Sequence, residues 1–214
     1  MARRVVAVLW VAAILGLVAL GTWQVQRLAW KRSLIAQVEA RLAAVPVPAP
    51  AGAGSGDAYR RVVATGRFIG ADSFVQASTV RGPGWWVMTP LHTPSATILV
   101  NRGYVPNRFA PPPPRGQVTV TGLLRLTEPG GGFLRSNDPA ADRWYSRDVA
   151  AIAAKRGLAG VAPYFIDADA TVGEPVGGLT VVRFPNNHLP YAITWYILAL
   201  MATAGLLYWR RTAR

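Results

Sequence analysis

Cysteine is absent from the sequence, which excludes disulfides, thiolate metal sites and thiol chemistry. Histidine is almost absent, with only His92 and His188. No Walker loop, strand-borne GxGxxG, HExxH or GxSxG occurs. A Ser/His/Asp hydrolase would have to use His92, which lies between Pro90 and Pro94 at a predicted strand end. Asp167 and Asp169 are the nearest approach to a carboxylate pair. Two acids beside a turn are usually solvated, and a hard cation needs about six oxygens. Cu(I) prefers thiolate and thioether ligands, and the chain offers no Cys and 3 Met. The expectation is no catalytic residue, no metal site and no enzymatic activity.

Acidic residues are also scarce, 10 against 23 basic ones, for a net charge of +13. Such an excess raises nucleic acid as a partner. Here the arginines stand singly or in pairs and two long apolar runs flank them, so anionic lipid or an acidic partner accounts for the charge better. No nucleic-acid partner is expected.

The apolar runs set the organisation. Residues 5–23 and 191–209 are each 19 residues without a charge. At ~1.5 Å per residue, each is long enough to cross a ~30 Å hydrocarbon core. A cleaved signal peptide is the alternative for the first, but the helical pattern runs on beyond it without a break. The expected layout is a cytoplasmic tail (1–4), a first span (5–23), a juxtamembrane amphipathic helix and Pro/Gly linker (24–58), a periplasmic β-rich domain (59–185), a second span with its N-terminal approach (186–209) and a second cytoplasmic tail (210–214). Arg3, Arg4 and the arginines after Trp209 place both termini inside; Arg27, Lys31, Arg32 and Arg41 argue the other way, but short tails weigh more.

Within the central domain the period changes to that of strands. Residues 59–68, 73–80, 85–91, 97–104, 118–126, 161–167 and 179–184 read as strands, with a hairpin turn at 81–84. Residues 142–157 read as one helix, capped by Ser146, and residues 45–56 as a linker that packs no core. The fold class is a membrane protein of α+β type, in which two transmembrane helices flank an antiparallel β-rich extracytoplasmic domain with one helix. Small residues at Ala12/Gly16 and Ala199/Thr203 permit the two spans to approach closely.

His188 opens the second span, where Asn186 or Asn187 can cap and Pro190 is tolerated in the first turn. On a helix His188, Tyr191, Ala192 and Trp195 share one face. One reading is a polar cap in the headgroup zone. The other is an axial ligand to haem iron, with the macrocycle against Tyr191 and Trp195 and its propionates met by Arg27, Lys31 or Arg32.

Several segments, in order, resemble a known family. Residues 21–31 (GTWQVQRLAWK), 60–68 (RRVVATGRF), 84–91 (GWWVMTPL), 100–106 (VNRGYVP) and 187–195 (NHLPYAITW) are similar to signatures of the Surfeit locus protein 1 family, the cytochrome oxidase assembly factors. The motif residues are Trp23, Gln24, Arg27, Trp30, Asn101, Arg102, Gly103 and Tyr191. The resemblance implies two transmembrane helices, both termini cytoplasmic and the domain in the periplasm, in the bacterial inner membrane. It implies a chaperone role in respiratory-chain biogenesis: haem a insertion into, or maturation of, cytochrome c oxidase subunit I, with haem a bound transiently at His188. Partners implied are subunit I, haem a synthase and the lipid bilayer. The alternatives are a membrane scaffold for nascent oxidase without haem carriage, a lipid-binding anchor domain and a membrane-tethered hydrolase. Trp23, Gln24, Arg27, Asn101, Arg102 and Gly103 are expected to shape the junction between domain and membrane, and Gly103 to supply a bulge or a positive φ.

Overall fold

A computed structural model describes residues 1–132, 134–170, 172–180 and 184–212. The chain forms two compact units, Met1–Gln37 with Val182–Arg214, and Val38–Val181. In chain order the elements begin with α1 (Ala2–Ala43), β1 (Val47–Pro48), β2 (Arg61–Phe68), β3 (Ser73–Thr79), β4 (Gly82–His92), β5 (Thr97–Val105) and β6 (Val118–Leu126). They continue with β7 (Gly131–Gly132), β8 (Arg135–Ser136), α2 (Val149–Lys155), β9 (Val161–Ala168) and α3 (His188–Thr212).

Two helices, α1 and α3, are long and apolar enough to cross a membrane. They form an antiparallel pair. Trp10 stacks on Trp209 with ring centroids 6.3 Å apart, and its Nε1 donates to the Ala202 carbonyl at 2.8 Å. Further along, the Thr22 and Tyr196 hydroxyls lie 3.1 Å apart. The residues that permit close approach are not all those expected. Gly16 faces open space, whereas a Cβ on Gly21 would come within 2.8 Å of the Tyr196 ring and one on Gly205 within 3.1 Å of Trp10. Ala199 does lie in the contact and is buried. A large ring needs a bare backbone opposite it, and that pairing of ring with glycine is what the small-residue pattern alone missed.

In the second unit, seven strands form one sheet in the order β1-β2-β6-β9-β5-β4-β3, and β2 also pairs with β4. The extra pairs, Arg67↔His92 and Phe68↔Leu91, join five strands into a ring. The sheet is not purely antiparallel: β5 runs parallel to β9, and β1 parallel to β2. Alternation explains the two cores. Val62, Ile98, Val100, Tyr164 and Ile166 fill the inside of the ring, while Leu99, Met88 and Phe165 point outward and meet Trp144, Val149 and Ile152. Every residue of β5 is buried, because this strand carries one core on each face. Each fully buried aliphatic side chain contributes roughly 1.5–3 kcal/mol.

Four expectations need correction. Residues 45–56 do pack: β1 adds to β2, Ala49 and Ala53 lie against the inner core, and the Tyr164 hydroxyl donates to the Pro50 carbonyl at 2.5 Å. Pro/Ala/Gly composition forbids long-chain packing, but small apolar residues still cover a barrel edge. The helix is only Val149–Lys155, capped by Asp148, whose side chain accepts from Ala151 N. Ser146 instead donates to the Glu128 carbonyl at 2.6 Å, and Gly157 takes φ 63° just past the helix end. The β3–β4 turn falls at Val80–Arg81, since Thr79 pairs with Gly82, the residue that takes φ 98°. Of the strand expected over 179–184, Leu179, Thr180 and Phe184 belong to no strand, and 181–183 lie outside the described residues.

Burial pushes the Tyr164 hydroxyl up to about 12. The unfolded chain ionises this group near 10, so the native domain holds a proton that the unfolded chain has lost. Its contribution is intact below pH ~10 and is lost as pH rises towards 12. An ultraviolet titration of the full chain is expected to show one tyrosine ionising only near pH 12, together with loss of the fold. Ionisation of all the tyrosines near pH 10 in a still-folded chain would count against it.

Candidate functional site

The Gln24/His188 contact lies at the end of the helix pair remote from Trp10 and Trp209. His188 is the first residue of α3 and is half-buried. Its Nδ1 lies 2.7 Å from Oε1 of Gln24 on α1. An amide oxygen opposite Nδ1 favours the tautomer with the hydrogen on Nδ1, whose lone pair is on Nε2. This is the arrangement by which a ligating imidazole is oriented: the far nitrogen is fixed by a partner so that the near one can bind a metal. The residues present therefore fit a single imidazole ligand. Asn186 Oδ1 sits 3.5 Å from the His188 backbone N, a weak cap.

The other expected neighbours are placed less tightly. Tyr191 is exposed and Trp195 half-buried, three and seven residues along the same helical face. On α1, Gln24, Leu28 and Lys31 follow one stripe, with Leu28 buried and Lys31 partly exposed. Arg27 lies over the ring of Trp30, 4.3 Å from its centroid, the cation–π contact expected at an interface. Trp23 and Trp30 both expose about half their surface.

The domain holds a different constellation. Asn101, buried, donates from Nδ2 to Asp167 Oδ1 at 2.8 Å and accepts from Gly103 N at 3.1 Å. Asp167 also accepts from Arg125 at 2.9 Å, Arg147 at 3.1 Å and Thr180 at 2.9 Å. Far from being solvated, this carboxylate is 3% exposed. Burial acts to lower the Arg147 guanidinium, but Asp167 and Glu128 outweigh it and raise its pKa above the ordinary value. Asp169 pairs with Arg61. Gly103 takes φ 134°, and any side chain there would run into the backbone of Val176, which exchanges hydrogen bonds with Tyr104.

The barrel mouth holds a cavity of about 700 Å³ walled in part by Phe68, Val100, Val118, Val120 and Arg102. The Arg102 Nη2 donates to the Pro111 carbonyl at 2.8 Å; Nη1 is buried and makes no hydrogen bond among the described residues, lying 3.5 Å from Asp72. Burial lowers the pKa of this guanidinium and Asp72 only partly offsets that. His92, the candidate base, sits at the end of β4 with Nδ1 3.5 Å from the Thr97 hydroxyl and is exposed. Among the described residues no group of three metal-ligating side chains occurs.

Residues 11–200, the stretch containing both members of the Gln24/His188 contact, match the profile described as the SURF1 family. The chain belongs to the SURF1 family. It is 38% identical to Surfeit locus protein 1 of Rattus norvegicus over 91% of this chain and 72% of that one. Against Surfeit locus protein 1 of Homo sapiens the figures are 37%, 96% and 77%. A SURF1-like protein of Monosiga brevicollis is 34% identical, with 90% and 82% covered. Within this SURF1-family chain, two features escaped sequence reasoning. Gln24 was placed in a motif without a partner. Asp167, expected as one of two solvated acids beside a turn, is buried, and Arg125 between Leu124 and Leu126 in a strand is the sequence signal that a charge enters the structure there.

Proposed function

We propose that this SURF1-family protein is a non-enzymatic assembly factor of the inner membrane that holds haem a at His188 while cytochrome c oxidase subunit I is matured. In this reading α1 and α3 span the membrane, both termini are cytoplasmic and the β-rich domain is periplasmic. The observation that carries it is the Gln24–His188 contact. It favours Nδ1–H, and with that tautomer Nε2 is the atom offered to a ligand at one end of an apolar helix pair. Gln24 orients, His188 ligates, Tyr191 and Trp195 offer flat apolar surface, and Arg27 and Lys31 offer cations for propionates. Bound haem would supply iron that accepts the imidazole nitrogen. Hydrolysis through His92 is disfavoured, because its contact with the Thr97 hydroxyl is long at 3.5 Å and, among the described residues, no carboxylate orients the ring.

The test is the optical spectrum of the detergent-purified full chain made in cells that synthesise haem a, with a search for oxidase subunit I in the co-purifying material. Stoichiometric haem a together with subunit I is the expected result. A folded, colourless chain that still captures subunit I would sink haem carriage and leave a scaffold for nascent oxidase.

A further inference from the structure

The opposite end of the helix pair holds a second feature. Arg3, Arg4 and Ala7 of α1 and Trp209 and Arg210 of α3 line a cleft of about 240 Å³. The Trp10–Trp209 stack fixes the two helix ends side by side at this point. No acidic residue balances these arginines locally: the first acid in the sequence is Glu39 and the last Glu174. The cations of this unit thus stand in excess, whereas most carboxylates of the β-rich unit are paired with arginines. Val5, Val8, Leu9, Leu207 and Tyr208, beside the cleft in sequence, are exposed.

The chemistry of such a cleft is specific. Guanidinium forks bind phosphate oxygens in pairs, which an ammonium cannot do. Aromatic rings beside them prefer the level of lipid headgroups. A basic pocket between two spans on the cytoplasmic side is the setting in which anionic lipid headgroups are held. From residue 4 to residue 24 the helix rises ~30 Å, so the cleft and His188 stand about one hydrocarbon thickness apart.

We infer that the cleft formed by Arg3, Arg4, Trp209 and Arg210 is a binding site for the phosphodiester headgroup of an anionic phospholipid, whose acyl chains lie along the exposed apolar sides of α1 and α3. This rests on the membrane-spanning reading above. Free phosphate shares the headgroup chemistry but lacks the chains; the apolar helix sides make the lipid the ligand.

The experiment is native mass spectrometry of the full chain released from detergent containing dioleoylphosphatidylglycerol, with dioleoylphosphatidylcholine and inorganic phosphate as separate arms. One phosphatidylglycerol is expected to stay bound, with no such retention of phosphatidylcholine. Arg210→Gln is expected to weaken retention about fivefold, and the Arg3→Gln/Arg4→Gln/Arg210→Gln variant on the order of a hundredfold. Arg211→Gln removes the same charge one residue outside the cleft and should change retention less than twofold. Equal effects of Arg210→Gln and Arg211→Gln would reduce the site to a general surface potential and overturn the proposal. Competition by inorganic phosphate at equal concentration would overturn the assignment to lipid. Carbonate extraction of cell membranes separates the two failures. A chain released into the soluble fraction refutes the spanning reading; a chain retained in membranes without lipid preference refutes only the cleft.

Discussion

His188→Ala is expected to abolish the haem a absorption of the purified chain while leaving the protein extractable, folded and able to capture subunit I. Removing the imidazole removes the donor atom, and a methyl group offers the iron nothing in exchange. Gln24→Leu tests the geometry separately. Leucine fills similar space but cannot accept from Nδ1, so the ring loses its tautomer and its orientation. Loss of a partner of this kind weakens metal binding by roughly 10–100-fold. Gln24→Glu, which keeps an acceptor oxygen at the same reach, is expected to restore most of the affinity. A purely structural role for Gln24 would move the melting point but leave the position and intensity of the haem band unchanged. An unaltered haem a spectrum in His188→Ala would remove the site from consideration altogether.

The other large effect concerns the domain. Asp167→Ala leaves Arg125 and Arg147 partly buried around a missing carboxylate and strips Asn101 and Thr180 of their acceptor. Breaking a buried charge pair by removing one member costs roughly 3–5 kcal/mol. For a domain of this size, that corresponds to a melting point lower by ~10–20 °C. Thermal unfolding of the full chain in detergent, followed by near-ultraviolet circular dichroism, reads it directly. Asp167→Asn is expected to cost less, because the amide oxygen still accepts from Asn101 or from Thr180, which meet different oxygens of the carboxylate. A shift of only a degree or two for Asp167→Ala would mean that water replaces the carboxylate without penalty.

Strand positions were legible because they follow from alternation. Residues 118–126 form β6 as expected, and five of the other strands begin or end within a few residues of their expected limits. The paired helices were legible from length and apolarity. Three things were not. The packing of residues 45–56 depends on β2 presenting a free edge, a tertiary circumstance that Pro/Ala/Gly composition cannot report. The helix α2 is shorter than its pattern suggests because Trp144 bridges to Val75 and is held by Gln76, far along the chain, while Tyr145 is tied to nearby Asn137. The Asp167 network draws on β5, β6, β9 and the segments beside them, so no spacing in one segment reveals it. At the candidate site, His188 was legible as a lone imidazole at a helix start. Its partner Gln24 is 164 positions away and becomes visible only when α1 and α3 pair.

The closure of the ring has an uneven strength that bears on how the domain breathes. β2 meets β6 over six residue pairs and β4 meets β5 over seven, but β2 meets β4 over only two. Local opening follows the least-bonded boundary. The short β2–β4 seam, continued by the hydrogen bond from Ile69 N to the Pro90 carbonyl, is therefore where the cylinder is expected to open first, and hydrogen exchange there should outrun exchange in the β2–β6 and β4–β5 ladders. Phe68 also lines the 700 Å³ cavity.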